Sequence, residues 1–235
     1  MKSFSYGGVI MKKKKFLLAG LLIVASLLYT FFKLQSGTSN DDALKFKNEY
    51  ERLNKEGYKE IKISENNQIK YSSYKEIVEI LTSGTGIIYL GFPECPWCRN
   101  AVPVLLDAVS ETGIETIHYF NALSIRDKKH LDEAGNIVVD DEGTQEYKKL
   151  VEILYEYLGE YEGLNDSSIK RIYFPTVIFV KNGDIKGLHV STIDSQINPN
   201  ESLTSEQYDE LKEIYVKNCL KISDASCSND LSQKC

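Results

Sequence analysis

The sequence predicts one α/β domain carried behind an N-terminal apolar segment, and three observations predict it. The apolar run Ile87-Ile88-Tyr89-Leu90 leads into Cys95-Pro96-Trp97-Cys98, after which Val102, Leu105, Leu106 and Val109 recur at helical spacing. A β-branched stretch, 176–180, passes through Asn182-Gly183 into 185–191, the pattern of a β-hairpin. Around these, strand-like and helix-like stretches alternate without repeats or low-complexity tracts. The expected architecture is a central mixed sheet flanked by helices, in a folded part of about 165 residues, enough for a core of its own.

The elements follow in order. Residues 16–32 carry no charge, and 17 residues of helix span about 25 Å, the short limit for crossing a bilayer. Lys12 to Lys15 precede this run and only Lys33 follows it closely. The positive-inside rule then makes 1–15 a cytoplasmic tail, 16–33 a single-pass signal anchor in the lipid bilayer, and the body of the chain extracytoplasmic. A cleaved signal peptide is the rival, since its flanks look alike. Residues 34–58 read as a polar linker and a charged stalk or docking helix over 41–56.

The domain proper is expected over 59–222. Strands are expected around Ile61-Lys62-Ile63 and Ile69-Lys70-Tyr71. Ser73 and Glu76 form a capping-box pattern for a helix to Leu81. Strands at 87–92 and 116–121 bracket the Cys-x-x-Cys helix. Residues 132–144 carry a Gly135-Asn136 turn signal, and Tyr147, Leu150, Val151, Leu154, Tyr155 and Leu158 mark an amphipathic helix whose stripe faces a core. Thr204 and Gln207 cap a last helix to about Leu220, leaving a Cys-containing tail at 223–235.

Charge excludes one class of function. All 34 acidic residues lie beyond residue 40, with 22 of the 28 basic ones, a net −12 over that part. A phosphate-binding surface needs clustered positive charge, so no nucleic-acid partner is expected.

The chemistry concentrates at Cys95 and Cys98. At a strand-to-helix turn, free backbone N–H groups and the helix dipole favour a thiolate at Cys95. Pro96 suits the first helical position, where no N–H partner is needed. Cys98 falls one turn further in. Two other readings of the pair remain. Half of a zinc site would need two more ligands, but His118, His130 and His189 are scattered, and Cys219, Cys227 and Cys235 stand eight apart. An inert structural disulfide is the other. Redox chemistry is the leading reading, because Cys-x-x-Cys beside a β–α pattern is a redox signature. No cofactor and no metal is assigned.

With these elements the chain resembles the thioredoxin-like superfamily over about residues 59–220. The match rests on the Cys-x-x-Cys ending an apolar strand, on Pro103 eight residues after Cys95, and on Pro175-Thr176 opening a strand that ends in Asn182-Gly183. The resemblance implies that Cys95 attacks and Cys98 resolves a mixed disulfide with protein or peptide thiols and disulfides. It implies a cis Pro175, preceded by Phe174, against the pair, and an exposed Trp97 that shapes the docking surface. A membrane electron donor or acceptor is then a further possible partner. Two departures stand out. Where thioredoxins bury an acid, this chain has Tyr89; Glu94 is the nearest replacement, with a solvated surface role as its alternative. Residues 128–162 are an insertion before the cis-proline strand. The anchor, the Cys-Pro-Trp-Cys-Arg motif and the insertion are similar to membrane-anchored thioredoxin-like proteins of Gram-positive bacteria, including those of the bacteriocin transport accessory type. A non-catalytic accessory role in peptide export is therefore the alternative to thiol–disulfide exchange. A Cys219–Cys227 bridge closing the tail is also expected.

Overall fold

Strand β2 (Gly86–Leu90) shows how the layers are built. Its side chains alternate between two cores: Ile87 and Tyr89 enter one cluster, Ile88 and Leu90 the other. Strand β6 (Thr176–Lys181) does the same, with Val177 and Phe179 on the first face and Ile178 and Val180 on the second. Such two-sided burial makes these strands continuous apolar runs, covered by helices on both faces. The computed structural model describes residues 41–223. The sheet also contains β1 (Ile69–Tyr71), β3 (Ile117–Phe120) and β7 (Asp184–Val190), in the order β1-β3-β2-β6-β7. β1, β3 and β2 are parallel, while β6 and β7 are antiparallel additions. The mixed α/β sheet flanked by helices is thus present.

Helices α1 (41–52), α3 (Pro96–Thr112) and α5 (Ser205–Ile222) supply the first core, through Phe46, Tyr50, Val102, Leu105, Leu211 and Tyr215. Helices α2 (Tyr74–Thr82) and α4 (Gln145–Leu154) supply the second, through Ile77, Leu81, Leu150 and Leu154. The β6–β7 turn places Asn182 and Gly183 at φ of 53° and 80°, the doubly left-handed turn whose twist matches paired strands. Gly183 also lies against the Thr82 carbonyl, where a Cβ would collide.

The local expectations fare differently. Of the two readings of 41–56, stalk or docking helix, the docking helix is the one present, as helix over 41–52. Phe46 and Tyr50 are fully buried, and burying each such side chain stabilises by about 1.5–3 kcal/mol. The packed unit therefore begins at Asp42 rather than at 59. Ile61 to Ile63 forms no strand. Its backbone is satisfied by side chains of α1 and the turn after it instead: Ile61 N–H donates to Asn54 Oδ1 at 3.1 Å and Ile63 N–H to Glu51 Oε1 at 2.7 Å. The segment 132–144 contributes to a separate hairpin, β4 (Lys128–Leu131) with β5 (Ile137–Asp141). Finally, Cys219 has no exposed surface and faces the first core from α5, while Cys227, its expected bridge partner, lies outside the described residues. Burial pushes the Cys219 thiol up to about 11.

Among the described residues no helix is long and apolar enough to cross a membrane. The expected anchor at 16–33 and all of the tail beyond residue 223 lie outside the described residues.

Candidate functional site

The end of β2 and the start of α3 set the site. Cys95 is the N-cap of α3, with φ −73° and ψ 117°, and Pro96 takes the first helical position. The Cys98 N–H donates to Cys95 Sγ at 3.3 Å, so the sulfur does what a hydroxyl or carboxylate oxygen does at other helix starts. Trp97 and Cys98 complete the first turn, which contains no acidic residue. Pro103 lies inside the same helix.

Opposite this turn is the start of β6. The Phe174–Pro175 bond is cis, and the Cys95 thiol lies 3.5 Å from the Phe174 carbonyl, to which it donates. Phe174 packs edge-on against Phe92, with ring centroids 5.5 Å apart. The Ser191 N–H donates to the Pro175 carbonyl at 2.8 Å, which ties the end of β7 to the proline loop. Ser191 adopts a left-handed φ of 66°, a conformation costing a non-glycine residue about 1 kcal/mol. Cys95, Cys98, Pro96, Trp97, Phe174 and Pro175 are thus brought together. Glu94 precedes Cys95 on the exposed surface. Trp97 is half-buried rather than exposed. It separates a groove of about 610 Å³, bounded by Phe174, Ser191, Gly159 and Arg171, from one of about 310 Å³ bounded by His189, Thr192 and Glu210.

The two thiols differ in environment. Hydrogen bonding from Cys98, first from its side chain and then its backbone, holds the Cys95 thiol below its usual range against the effect of burial. The Arg126 guanidinium acts in the same direction, and it sits over the Phe174 ring at 5.3 Å. Cys98 is fully buried. Burial, followed by the neighbouring Cys95, raises its thiol well above the usual range, while the Phe92 backbone and the Tyr89 hydroxyl pull it back. One sulfur is prepared to be an anion and the other to keep its proton. Such a pair can attack, wait and close a disulfide.

Arg99, next in the chain, is fully buried. Its guanidinium donates to the carbonyls of Lys59 at 2.7 Å, Tyr50 at 2.9 Å and Pro93 at 3.2 Å, and to Asn54 Oδ1. It therefore clamps α1 and the Cys95 turn to one helix. Sequence reasoning passed over Arg99, Arg126, Ser191 and Tyr50 as site residues. The scarcity of arginine, four against 24 lysines, was the available signal for two of them; Phe46, Tyr50 and Leu53 at helical spacing was the signal for the fourth. Among the described residues no group of three or more His, Cys, Asp or Glu could hold a metal ion.

Comparison with family models and with curated proteins finds no match, so the chemistry of the cysteine pair and its neighbours carries the functional reading.

Proposed function

We propose that this chain is a thiol–disulfide oxidoreductase of thioredoxin-like architecture, acting on protein or peptide substrates outside a membrane to which residues 16–33 anchor it. The carrying observation is the pairing of a stabilised Cys95 sulfur, 3.5 Å from the Phe174 carbonyl beside cis Pro175, with a buried, proton-retaining Cys98.

The Cys95 thiolate attacks one sulfur of a substrate disulfide. A mixed disulfide forms, and the other substrate sulfur leaves with the electron pair and takes up a proton. Cys98 then loses its proton and attacks Cys95 Sγ, closing the Cys95–Cys98 disulfide and releasing the second substrate thiol. The substrate gains two electrons and the pair loses them; the reverse sequence oxidises a dithiol. Cys95 is the nucleophile and Cys98 the resolving group. Pro96 begins the helix that presents them. Trp97, Phe174 and Pro175 border the groove through which a substrate segment approaches, and the exposed Glu94 lies at its edge.

The test is a redox titration of the full-length chain carrying Cys219, Cys227 and Cys235 as Ser, followed by thiol trapping. One two-electron transition is expected. A midpoint near about −270 mV makes the chain a reductase that needs an electron donor, and one near about −120 mV makes it an oxidant. No reversible couple at all would overturn the reading in favour of a non-catalytic accessory protein.

A further inference from the structure

The groove of about 610 Å³ beside Trp97 has a lining of two kinds. Trp97, Tyr173 and Phe174 supply aromatic surface, and the segment 159–162 supplies the side chains of Glu160 and Glu162. That segment is held firmly. Tyr161 N–H donates to the Ile169 carbonyl at 2.7 Å, and Arg171 N–H donates to the Gly159 carbonyl at 3.3 Å. The Tyr173 hydroxyl accepts the Glu162 N–H at 2.7 Å and donates to the Glu160 carbonyl at 3.2 Å. Tyr161, between the two glutamates, is buried, while both glutamates are exposed. The two carboxylates therefore ride on backbone tied to Tyr173, the second residue before Pro175. Phe174, between them in the chain, accepts from the Cys95 thiol at 3.5 Å through its carbonyl. The glutamates are thus placed with respect to the reactive sulfur by a short series of bonds.

Neither glutamate side chain has an ion-pair or hydrogen-bond partner among the described residues. Arg171 is the one cation on this lining, and its charge is already engaged. Its guanidinium lies over the Tyr161 ring at 4.1 Å and donates to the Asp127 carbonyl at 3.3 Å. An aromatic groove bordered by unpaired carboxylates matches one kind of side chain. Lysine and arginine lay an apolar stem along apolar surface and keep a charged head in polar surroundings. Their cation is attracted by an indole or phenol face as well as by a carboxylate. An acidic side chain in the same place would meet like charge, which costs binding and rejects the wrong partner.

We propose that this groove selects the substrate: it takes a lysine or arginine side chain of an extended polypeptide segment whose cysteine exchanges at Cys95, with Glu160 and Glu162 as the specificity-determining residues. This rests on the reading of the chain as a disulfide-exchange enzyme and names the substrate class of that site. The charges act on encounter and register, so the bonds made and broken at the sulfurs are those already described.

The test uses the reduced full-length chain, with Cys219, Cys227 and Cys235 as Ser, and three synthetic peptide disulfides. These are oxidised dimers of one short peptide with Lys, Gln or Glu on both sides of its cysteine. The rate of Cys95 attack on each, followed by acid quenching and mass spectrometry, is divided by the rate of dithiothreitol with the same peptide. That ratio removes differences in leaving-group reactivity. At low salt the Lys peptide is expected to react about fivefold faster than the Gln peptide, the upper size for an exposed ion pair. The Glu peptide should be slower than either. The preference should fade toward about 1 M salt, where the Debye length is about 3 Å. The chain beyond residue 40 is acidic as a whole, and a general field would favour the same peptide. The paired replacement Glu160→Gln with Glu162→Gln separates the two causes. In it the preference should fall to near one, whereas Glu210→Gln, on the other groove, should keep it. Equal rates for the three peptides overturn the proposal. So does a preference that survives the paired replacement or is lost equally in Glu210→Gln. Absence of reaction with every peptide overturns the exchange reading instead.

Discussion

Helices α2 and α3 each follow a parallel strand, and each opens with a side chain that accepts the backbone N–H of the third helical residue. Ser73 Oγ accepts from Glu76 at 3.3 Å, and Cys95 Sγ accepts from Cys98 at the same distance. The difference lies in the rest of the turn. At α2 the Glu76 carboxylate reaches back to the Ser73 N–H at 2.8 Å, and this hydrogen bond is the largest cause holding Glu76 down at about 2. Helices α4 and α5 also carry an acid in the first turn, Glu146 and Glu206, but α3 has none. A helix N-terminus favours one nearby anion. At α2 that anion is a permanent carboxylate; at α3 the place is left to a sulfur that can be an anion, a thiol or half of a disulfide. The same backbone device thus serves stability at one helix and reactivity at the other.

The largest expected effect comes from making the two caps chemically alike. Cys95→Ser keeps an acceptor at the N-cap, so the unfolding midpoint should stay close to that of the parent while disulfide turnover disappears. Cys98→Ser leaves attack possible but removes the resolving group, so mixed disulfides with substrate should accumulate, visible as adducts by mass spectrometry without reduction. Turnover retained in Cys95→Ser would break the comparison, since the cap would then be structural at both helices.

The two turns also differ in how they are held, which gives the next effect in size. Arg99 fixes the α3 turn from inside the core. Arg99→Ala would orphan the buried carbonyls of Tyr50 and Pro93 and the part-buried carbonyl of Lys59 and should lower stability by about 3 kcal/mol in urea denaturation, at about 1–3 kcal/mol for each buried acceptor left unpaired. The corresponding support at α2 is Lys70 with Glu76, 3.0 Å apart and largely exposed. Lys70→Ala should cost about 0.5 kcal/mol or less. Equal losses would mean that the buried clamp relaxes without orphaning its partners.

What was legible follows from the range of the forces involved. The strand, the α3 cap and the Asn182-Gly183 turn are decided by residues adjacent in sequence, so their patterns are written locally. The Ser73–Glu76 cap is local too. Tyr50 and Tyr89 are hydrogen-bonded through their hydroxyls but 39 residues apart, and nothing near either one shows that they meet. Arg99 was passed over for a related reason. An arginine is normally a surface residue, and only the carbonyls collected from α1 and the loops make its burial tolerable. Ile61 and Ile63 read as a strand because their alternation is real. The side chains of Asn54 and Glu51 then took the backbone bonds that a neighbouring strand would have made. The hydrophobic alternation of β2 and β6 revealed a two-sided core but not which face would carry hydroxyls.

The smallest effect tests the α2 side alone. Ser73→Ala should cost about 1 kcal/mol, the usual loss of an N-cap acceptor. Glu76→Gln should cost about 0.5 kcal/mol at neutral pH, as expected for a charge at an exposed helix N-terminus. The sign of the pH dependence follows from the depressed Glu76 carboxyl. The native state prefers the deprotonated form, so its contribution is complete above about pH 4.5, the ordinary glutamate range. It is then lost as pH falls toward about 2. The difference in stability between the parent chain and Glu76→Gln should therefore be constant from pH 7 to pH 5 and vanish near pH 2. No such window should attach to the start of α3, where the first turn holds no carboxyl to protonate. If acid abolished the alkylation of Cys95 through a group titrating below pH 4.5, a carboxylate would be supporting the thiolate there, and the contrast between the two helix starts would collapse.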